Sequence, residues 1–586
     1  MADGEAIGIG LPTLAEFQHW NEVIGRAQQM MLKHVVRGAG AAPSAKLPDI
    51  TQLFDGWAMS RFDMDALAAA QAGLWSDSIA MWQRFLDPAR AATDAMPERD
   101  RRFAAPAWRG HPVFALLRES YTVLSQAVLA QVDAVEGISE RQREQLRFAT
   151  RAYVDAASPS NFMLTNPQAL QRIVETRGES FLTGLDNMLG DLARGQLTQT
   201  PQGAFEVGRD LAATPGKVIH ETPLYQLIQY APTTKAVQRT PLVIFPPWIN
   251  RFYILDLGPE KSFVRWAVEQ GLSVFMVSWK SADADLADTS LDDYVAAQLD
   301  AIAVVRDLLD VPQVHAAGYC VAGSVLAATL ALLAARREDV VASATFFTAQ
   351  VDFADAGDLG LFVDDRVLEL LGTLADEGGY LDGRYMAAVF NLLRGRDLIW
   401  SYVVNNYLLG DAYRPFDLLH WNGDVTNLPA AWHQAYLRDF YRDNLLVKPG
   451  ALTVLGVPID LTRVTVPAYI QAGREDHIAP AASVWKMTEH FRGPMRFVLA
   501  GSGHIAGVVN PPAAGKYQYW TSERHHATLD DFVAHAKETR GSWWPDWAAW
   551  IEARSGGEVP ARGARVPGKG VRPAIEEAPG RYVRMR

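Results

Sequence analysis

The feature that most constrains the fold is a segment around the only cysteine of the chain, Gly-Tyr-Cys-Val-Ala-Gly at 318–323. A short apolar run precedes it, and a helical pattern of small residues follows it through Arg337. This order is typical of a sharp strand-to-helix turn, in which small residues let the helix pass close to the strand. It predicts a thiol nucleophile at Cys320. A buried structural cysteine is the alternative, because free cysteines are often buried.

Short apolar runs alternate with helical patterns through the second half of the chain. The runs that read as buried strands are 242–245, 273–277, 314–317, 344–347, 468–472 and 496–500. Ser290, followed by Asp292 and Asp293, predicts the capped start of an amphipathic helix at 291–309. Strands that alternate with helices indicate a parallel sheet covered by helices. We therefore predict an α/β fold with an α/β-hydrolase core.

The sequence on either side of this core differs in pattern. Residues 1–210 are mostly helical in pattern and predict a mainly helical N-terminal domain, followed by a catalytic domain at 211–555. An aromatic-rich insertion at about 352–450, which includes Trp421 and Trp432, predicts a cap over the active site. A plain second core is the alternative for these aromatics. Residues 556–586 predict an extended or disordered C-terminal tail, since they are rich in Gly, Pro, Arg and Glu.

Composition excludes several functional classes. With 55 basic and 67 acidic residues the net charge is -12, which argues against a nucleic-acid partner. One cysteine excludes an internal disulfide and a cysteine-rich metal site, and it is typical of a reducing compartment. The first residues lack a basic leader pattern, and the longest apolar stretch, 321–335, is too short to span a bilayer. We predict a cytoplasmic protein with no transmembrane segment and no metal site.

A thiol nucleophile needs a base, and the base needs an acid that orients it. Asp476 and His504 each follow a predicted strand, and catalytic groups of open α/β sheets collect at the carboxyl ends of strands. The order Cys320, Asp476, His504 is also the order of nucleophile, acid and histidine in the hydrolase fold. His477 is a rival base. We expect it to have a structural or supporting role, because neighbours in sequence can point to different sides of a turn.

Several further motifs occur together with this arrangement: FEVGR at 205–209, PPWINRFYILDL at 246–257, REDHIAP at 474–480 and GHIAG at 503–507. In this combination the chain resembles the class I polyhydroxyalkanoate (poly-3-hydroxybutyrate) synthases, which polymerise 3-hydroxyacyl-coenzyme A into polyester. The resemblance runs from about Ser158 to Trp547.

The resemblance implies a role for each candidate catalytic residue. Cys320 is then the nucleophile that carries the acyl group, His504 the general base and Asp476 the third catalytic residue. The family usually has glycine two places after the cysteine, where this chain has Ala322. This departure puts the geometry of the turn in question.

The implied chemistry is a thioester exchange in an acyltransferase. A thiolate attacks the acyl thioester and expels coenzyme A, which leaves the acyl group activated on the protein. The backbone N–H of Val321 is expected to supply half of an oxyanion hole, and the loop around Trp248 and Ile249 the other half. No cofactor is expected, since the coenzyme A thioester is the substrate. The loop 505–508 resembles the short-chain branch of the family and predicts (R)-3-hydroxybutyryl units first.

The resemblance also implies partners and a location. The expected partners are the growing polyester, the granule surface with its associated proteins, and a second copy of the chain in a homodimer, in the cytoplasm on polyester granules. Two other functions remain open. An esterase or polyester depolymerase on the same fold would send water to the acyl-enzyme, and a non-catalytic granule-binding protein would fail to acylate Cys320.

Overall fold

The structure is a computed structural model that describes residues 14–38, 61–62, 64–86, 100–376 and 378–585. The chain divides into two compact units. One comprises Met1–Gln199 with Ala388–Arg414, and the other comprises Thr200–Ala387 with Pro415–Arg586. Among the described residues, no helix is both long enough and apolar enough to cross a membrane.

The first unit is mainly helical, as the sequence predicts. Among its described residues, one small sheet pairs two short antiparallel strands, which the sequence patterns do not predict. Ser139 and Gln142 form a reciprocal capping box before the fifth helix. The elements are α1 (Leu14–Gly38), β1 (Arg61–Phe62), α2 (Met64–Leu86), α3 (Ala107–Gly110), α4 (Pro112–Asp133), β2 (Val135–Glu136), α5 (Glu140–Ala156), α6 (Pro167–Glu175) and α7 (Glu179–Arg194).

Part of the predicted cap insertion belongs to this first unit. Within it, the Tyr407 hydroxyl donates to Asp191 at 2.5 Å, and the Asn187 side chain donates to the Asn406 carbonyl at 3.0 Å. The sequence pattern predicts that all of 352–450 belongs to the catalytic domain. The structure divides that range, because these tertiary hydrogen bonds tie residues 388–414 to α7, and local sequence patterns do not reveal them.

The second unit is built on a sheet that has eleven strands within the described chain. The described strands of this unit are β3 (Gly216–Glu221), β4 (Tyr225–Tyr230), β5 (Ala236–Gln238), β6 (Leu242–Phe245), β7 (Val274–Trp279), β8 (Val314–Tyr319), β9 (Val341–Phe347), β10 (Tyr380–Leu381), β11 (Leu428–Pro429), β12 (Thr453–Val454), β13 (Val457–Pro458), β14 (Ala468–Gly473), β15 (Met495–Ala500), β16 (Gln518–Thr521), β17 (Lys537–Arg540), β18 (Glu558–Pro560) and β19 (Glu576–Glu577). The order of the eleven strands in the sheet is β17-β16-β15-β14-β9-β8-β6-β7-β4-β3-β19.

Helices cover both faces of this sheet. The capping box predicted at Ser290 is present and uses Asp293. The helices are α8 (Phe263–Glu269), α9 (Leu291–Leu309), α10 (Val321–Arg336), α11 (Asp358–Leu361), α12 (Asp365–Asp376), α13 (Gly383–Leu393), α14 (Asp417–Gly423), α15 (Ala430–Ala435), α16 (Ala481–Trp485), α17 (Met487–His490), α18 (Leu529–His535) and α19 (Trp544–Glu552), of which α13 continues into the first unit.

The six predicted strands are the parallel strands of the sheet. They correspond to β6, β7, β8, β9, β14 and β15, which pair in parallel with one another, whereas the outer strands on both sides are antiparallel. Alternate residues of β6 face two different core clusters: Val243 and Phe245 belong to one, Leu242 and Ile244 to the other. The sheet is therefore buried on both faces, as expected for parallel strands, and the predicted α/β-hydrolase core is confirmed.

Residues 556–585, which the sequence analysis treated as an extended or disordered tail, pack along the second unit. β18 pairs with β5, and β19 adds an edge strand to β3. The buried Arg565 side chain donates to the carbonyl of Arg239 at 2.6 Å and to the hydroxyl of Ser273 at 3.0 Å. Main-chain pairing and arginine contacts hold this segment, so its composition alone did not reveal the packing.

Two buried histidines predict how the stability of this unit depends on pH. Burial lowers the pKa of His315 and of His433 to about 4, and neither ring nitrogen of His433 has a hydrogen-bond partner among the described residues. The unfolded chain binds these protons near pH 6.5, so between pH 6.5 and 4 the unfolded state binds more protons and the free energy of unfolding falls as the pH falls. We expect a loss on the order of 2 kcal/mol per histidine at pH 5.

The measurement is the thermal midpoint between pH 7.5 and 4.5. His433→Gln should flatten its pH dependence, and His525→Gln, a change at an exposed histidine, should not. An unchanged pH dependence in His433→Gln would contradict the assignment.

Candidate active site

Cys320 lies at the turn between β8 and α10 with φ 52° and ψ -127°. Its N–H donates to the Phe347 carbonyl at 2.9 Å, and its own carbonyl accepts from Gly323 and Ser324 in the first turn of α10. A positive φ at a non-glycine residue is strained and persists only where the surrounding structure enforces it. The turn thus holds the half-buried thiol at the carboxyl end of a central strand.

Two glycines allow α10 to approach β8. A Cβ on Gly318 would lie 2.5 Å from the Gly323 Cα, and a Cβ on Gly323 would lie 2.4 Å from the Ala349 Cβ. Ala322 is fully buried in the core, and its carbonyl accepts from the Gln298 side chain at 3.0 Å. Ala322 takes part in the close contact only through its backbone carbonyl, which would lie 3.1 Å from a Cβ on Gly318, and its methyl group is not among the nearest atoms.

Asp476 and His504 meet at the ends of two neighbouring strands, β14 and β15. The His504 Nδ1 lies 2.7 Å from one Asp476 carboxylate oxygen, and the other oxygen accepts from the backbone N–H groups of Ile478 and Ala479 at 2.8 and 2.9 Å. Both side chains are buried, and the Tyr319 hydroxyl donates to the His504 carbonyl at 3.0 Å. These contacts fix the ring with Nδ1 toward the carboxylate and leave Nε2 for the thiol.

The electrostatics of the site favour a charged pair. Burial opposes protonation of His504, but the Asp476 carboxylate and the negative charge at Cys320 outweigh it, and together they raise the pKa of His504 to about 10. His504 also hydrogen bonds with the Cys320 side chain. A histidine with this pKa is protonated at neutral pH. At neutral pH the site therefore holds an imidazolium that is hydrogen-bonded to Asp476 and to Cys320.

Two tyrosines from the insertion, Tyr436 and Tyr441, belong to the same core cluster as Cys320. Burial is the largest cause that raises the pKa of both hydroxyls, and Cys320 adds to it. The Tyr441 hydroxyl accepts from the side-chain amide N–H of Gln350 at 3.2 Å. The side-chain oxygen of the same glutamine accepts from the Ser483 hydroxyl at 2.8 Å. The aromatic density of the insertion includes both tyrosines, but the sequence pattern does not show which rings share a cluster with Cys320.

The expected oxyanion donors lie on well-fixed backbone. Val321 is the first residue of α10, so its N–H has no acceptor within the helix. The Thr426 hydroxyl donates to the Trp248 carbonyl at 2.7 Å and accepts from the Asn250 N–H at 2.9 Å, which holds the loop after β6. Ile249 and Cys320 pack against the same core cluster. The assignment of Val321, Trp248 and Ile249 as donors stays a prediction.

Trp421 and Trp432 lie in the interior of the second unit. Trp432 stacks on Tyr436 with ring centroids 4.7 Å apart, and the Trp421 indole donates to the Arg251 carbonyl at 2.7 Å. Both rings are buried, which fits the interpretation of these aromatics as part of a core.

Three possible metal ligands lie together in the described part of the chain, at His526, Asp531 and His535. The His526 Nδ1 is 2.8 Å from the Asp531 carboxylate and its Nε2 is 2.7 Å from the Ser522 hydroxyl. Protein hydrogen bonds thus already account for both nitrogens of the buried ring. The absence of a metal and of a cofactor stays a prediction, as does the supporting role of His477.

A nucleophile on a strand–turn–helix elbow, with an acid and a histidine after later strands of a mainly parallel sheet, defines an enzyme of the α/β-hydrolase fold. The family model "alpha/beta hydrolase fold" matches residues 246–511, and the model "Poly-beta-hydroxybutyrate polymerase (PhaC) N-terminus" matches residues 99–267. The chain's 43% and 44% identity to two curated poly(3-hydroxyalkanoate) polymerases over most of its length shows that it belongs to that family.

Curated relatives match this chain over most of its length. It is 43% identical over 557 residues to the poly(3-hydroxyalkanoate) polymerase subunit PhaC of Cupriavidus necator, covering 94% of this chain and 93% of that protein. It is 44% identical over 537 residues to the poly(3-hydroxyalkanoate) polymerase of Methylorubrum extorquens, covering 89% of this chain and 88% of that protein.

Proposed function

We propose that the protein polymerises short-chain (R)-3-hydroxyacyl-coenzyme A into polyester with release of coenzyme A, through an acyl intermediate on Cys320. One observation carries this proposal. In a member of the polymerase family, His504 is hydrogen-bonded to Asp476 and to the thiol of an elbow cysteine.

In the acylation step, the Cys320 thiolate attacks the carbonyl carbon of the substrate thioester. A bond forms between Sγ and that carbon, the bond to the sulfur of coenzyme A breaks, and the departing thiolate takes the proton held on His504. The Val321 N–H and an N–H of the Trp248–Ile249 loop stabilise the oxyanion. One thioester replaces another, so the acyl group stays activated.

In the elongation step, a 3-hydroxyl oxygen attacks the acyl carbon on Cys320. An ester C–O bond forms, the C–S bond to Cys320 breaks, and the hydroxyl proton passes to His504. Hydrogen bonds already engage both Asp476 oxygens, one with His504 and the other with two backbone amides. This arrangement favours Asp476 as the group that orients His504 over Asp476 as the direct base.

The deciding experiment is incubation with 3-hydroxybutyryl-coenzyme A, with free thiol and insoluble polymer followed together. We expect one coenzyme A released per unit added to polymer. Coenzyme A release with free 3-hydroxybutyrate and no polymer would indicate the esterase or depolymerase. Intact Cys320 in the protein mass spectrum and no thiol release would indicate the non-catalytic granule-binding protein.

The same assay tests substrate length. We propose short units because the loop 505–508 after the catalytic histidine, Ile-Ala-Gly-Val, is small and apolar. Val508 is fully buried and Ile505 packs against the second core cluster, so this loop has little room to rearrange. Turnover of 3-hydroxydecanoyl-coenzyme A equal to that of the four-carbon substrate would contradict this part of the proposal.

We also propose that the active form is a homodimer on polyester granules in the cytoplasm, as the family resemblance implies. Sedimentation with a non-hydrolysable substrate analogue should show a shift from monomer to dimer as the protein concentration rises. A separate assay with the reactive substrate should show a lag in coenzyme A release that a hydroxyacyl primer shortens. A strict monomer with lag-free kinetics would refute this assembly.

A further inference from the structure

Arg251 is among the largest fully buried side chains of the second unit, with 2% of its surface exposed. It follows the Trp248–Asn250 loop directly in sequence. Burying a guanidinium is costly unless charge and hydrogen bonds compensate it. The groups around Arg251 therefore indicate what holds this part of the loop.

The compensating groups come from two distant segments. The Asp424 carboxylate lies 3.5 Å from the Arg251 Nε, and the Val425 carbonyl accepts from the guanidinium at 3.4 Å. The C-terminal end of the chain supplies the rest. The Met585 carbonyl accepts from Arg251 at 2.7 Å and the Tyr582 carbonyl at 3.5 Å.

Other contacts hold these C-terminal carbonyls in place. The Tyr582 hydroxyl donates to the Thr222 carbonyl at 2.8 Å, and its N–H donates to the Gln226 side chain at 3.2 Å. Val583 is 1% exposed, and β19 pairs with β3 just before this segment. Tyr582 thus presents a well-held acceptor to Arg251, and the Met585 N–H donates to the same Tyr582 carbonyl at 3.2 Å.

Arg251 is also tied to the loop that carries the expected oxyanion donors. The Trp421 indole donates to the Arg251 carbonyl, and Thr426 bridges the Trp248 carbonyl and the Asn250 N–H. The same segment, 421–426, therefore contacts both the guanidinium and the backbone of the loop. A displaced Arg251 would shift this backbone as well.

We propose that Arg251 and the carbonyls of Tyr582 and Met585 form a positioning device for the oxyanion loop. The chain end stabilises the buried guanidinium, and the guanidinium fixes the backbone at Trp248 and Ile249 relative to the Cys320 thiol. This inference rests on the proposed acyl-cysteine function. It assigns a positioning role to residues that do not touch the reacting atoms.

The test compares two reactions of Cys320 in the full-length enzyme. Acylation by 3-hydroxybutyryl-coenzyme A needs the oxyanion hole, whereas alkylation by iodoacetamide needs only the thiolate and His504. We expect Arg251→Gln to lower kcat for acylation about 100-fold, the size of losing one oxyanion donor, with KM and the alkylation rate within threefold of wild type. Arg584→Ala, a change to an arginine of the same chain end whose side chain donates to the Val207 and Gly580 carbonyls, should leave both reactions unchanged.

A second variant guards against misfolding. Deletion of residues 582–586 should give the same selective loss of acylation, and a peptide of residues 580–586 added in trans should restore part of it. Normal acylation in folded Arg251→Gln or in the deletion would overturn the proposal, and so would an equal loss of acylation and alkylation. Failure of the wild-type enzyme to acylate would instead refute the proposed function itself.

Discussion

Cys320→Ala is expected to abolish both coenzyme A release and polymer formation, with residual rates at least about 1,000-fold below wild type. Without the sulfur of Cys320 no covalent bond to the acyl carbon can form, so His504 and the oxyanion donors have no reaction to assist. Folding should persist, since the change removes one half-buried atom. The measurement is thiol release from 3-hydroxybutyryl-coenzyme A, with thermal unfolding as the check on folding.

His504→Gln is the matched variant for this experiment. It keeps the thiol but removes the positive charge beside it, so alkylation by iodoacetamide at neutral pH should slow together with acylation. Cys320→Ala should show no site-specific alkylation at all, because Cys320 is the only cysteine of the chain. Polymer formation near the wild-type level in Cys320→Ala would remove the basis of the proposed mechanism.

Gly323→Ala is expected to lower both the free energy of unfolding and the activity by more than one added methyl group suggests. The added methyl group would meet the Ala349 Cβ at 2.4 Å and the Gly318 carbonyl oxygen at 3.0 Å, so α10 must move away from β8. Overpacking of this kind lowers the free energy of unfolding by about 1–3 kcal/mol. Because Cys320 is the cap residue of the same helix, we also expect activity to fall at least about 100-fold, in line with a displacement of about 1 Å at reacting atoms.

The neighbouring change Ala322→Gly is the control. It restores the glycine usual in the family, adds no atom to the close contact, and should lower the free energy of unfolding by about 2 kcal/mol through helix propensity and the loss of a buried methyl group. Activity should stay within threefold of wild type. Urea unfolding and coenzyme A release measured on both variants decide the matter. A larger loss of stability and activity in Ala322→Gly than in Gly323→Ala would contradict the prediction that the turn is most sensitive at the Gly323 contact.

The sequence predicted the parallel half of the sheet well because its strands are buried on both faces. Runs such as Leu242–Phe245 are continuously apolar and stand out from their surroundings. The outer strands lack such apolar runs, so the sequence patterns do not reveal them. For example, β17 has the sequence Lys-Glu-Thr-Arg and is largely exposed. The β4 strand is fully buried, but its glutamines interrupt the apolar pattern.

The three candidate catalytic residues were predictable because their order in the chain follows the order of the parallel strands that carry them. Cys320, Asp476 and His504 each follow a central strand, so the parallel sheet brings them to one edge. Tyr441 and Gln350 were not predictable in this way. Their hydrogen bond joins residues that are 91 positions apart through an irregular insertion, and no local pattern encodes that contact. The same holds for the contact of Arg251 with Met585, which spans 334 positions.

The packing of residues 556–585 has a consequence for the order of folding. β3 pairs with β19, and β5 with β18, so two early strands of the second unit receive their partners from segments far later in the sequence. Contacts between such distant segments require the closure of a long loop and form slowly. Until β19 docks, the outer edge of β3 is open and can pair with a strand of another chain. A variant that lacks residues 556–585 would keep every strand from β3 to β17 but would expose this sheet edge to aggregation.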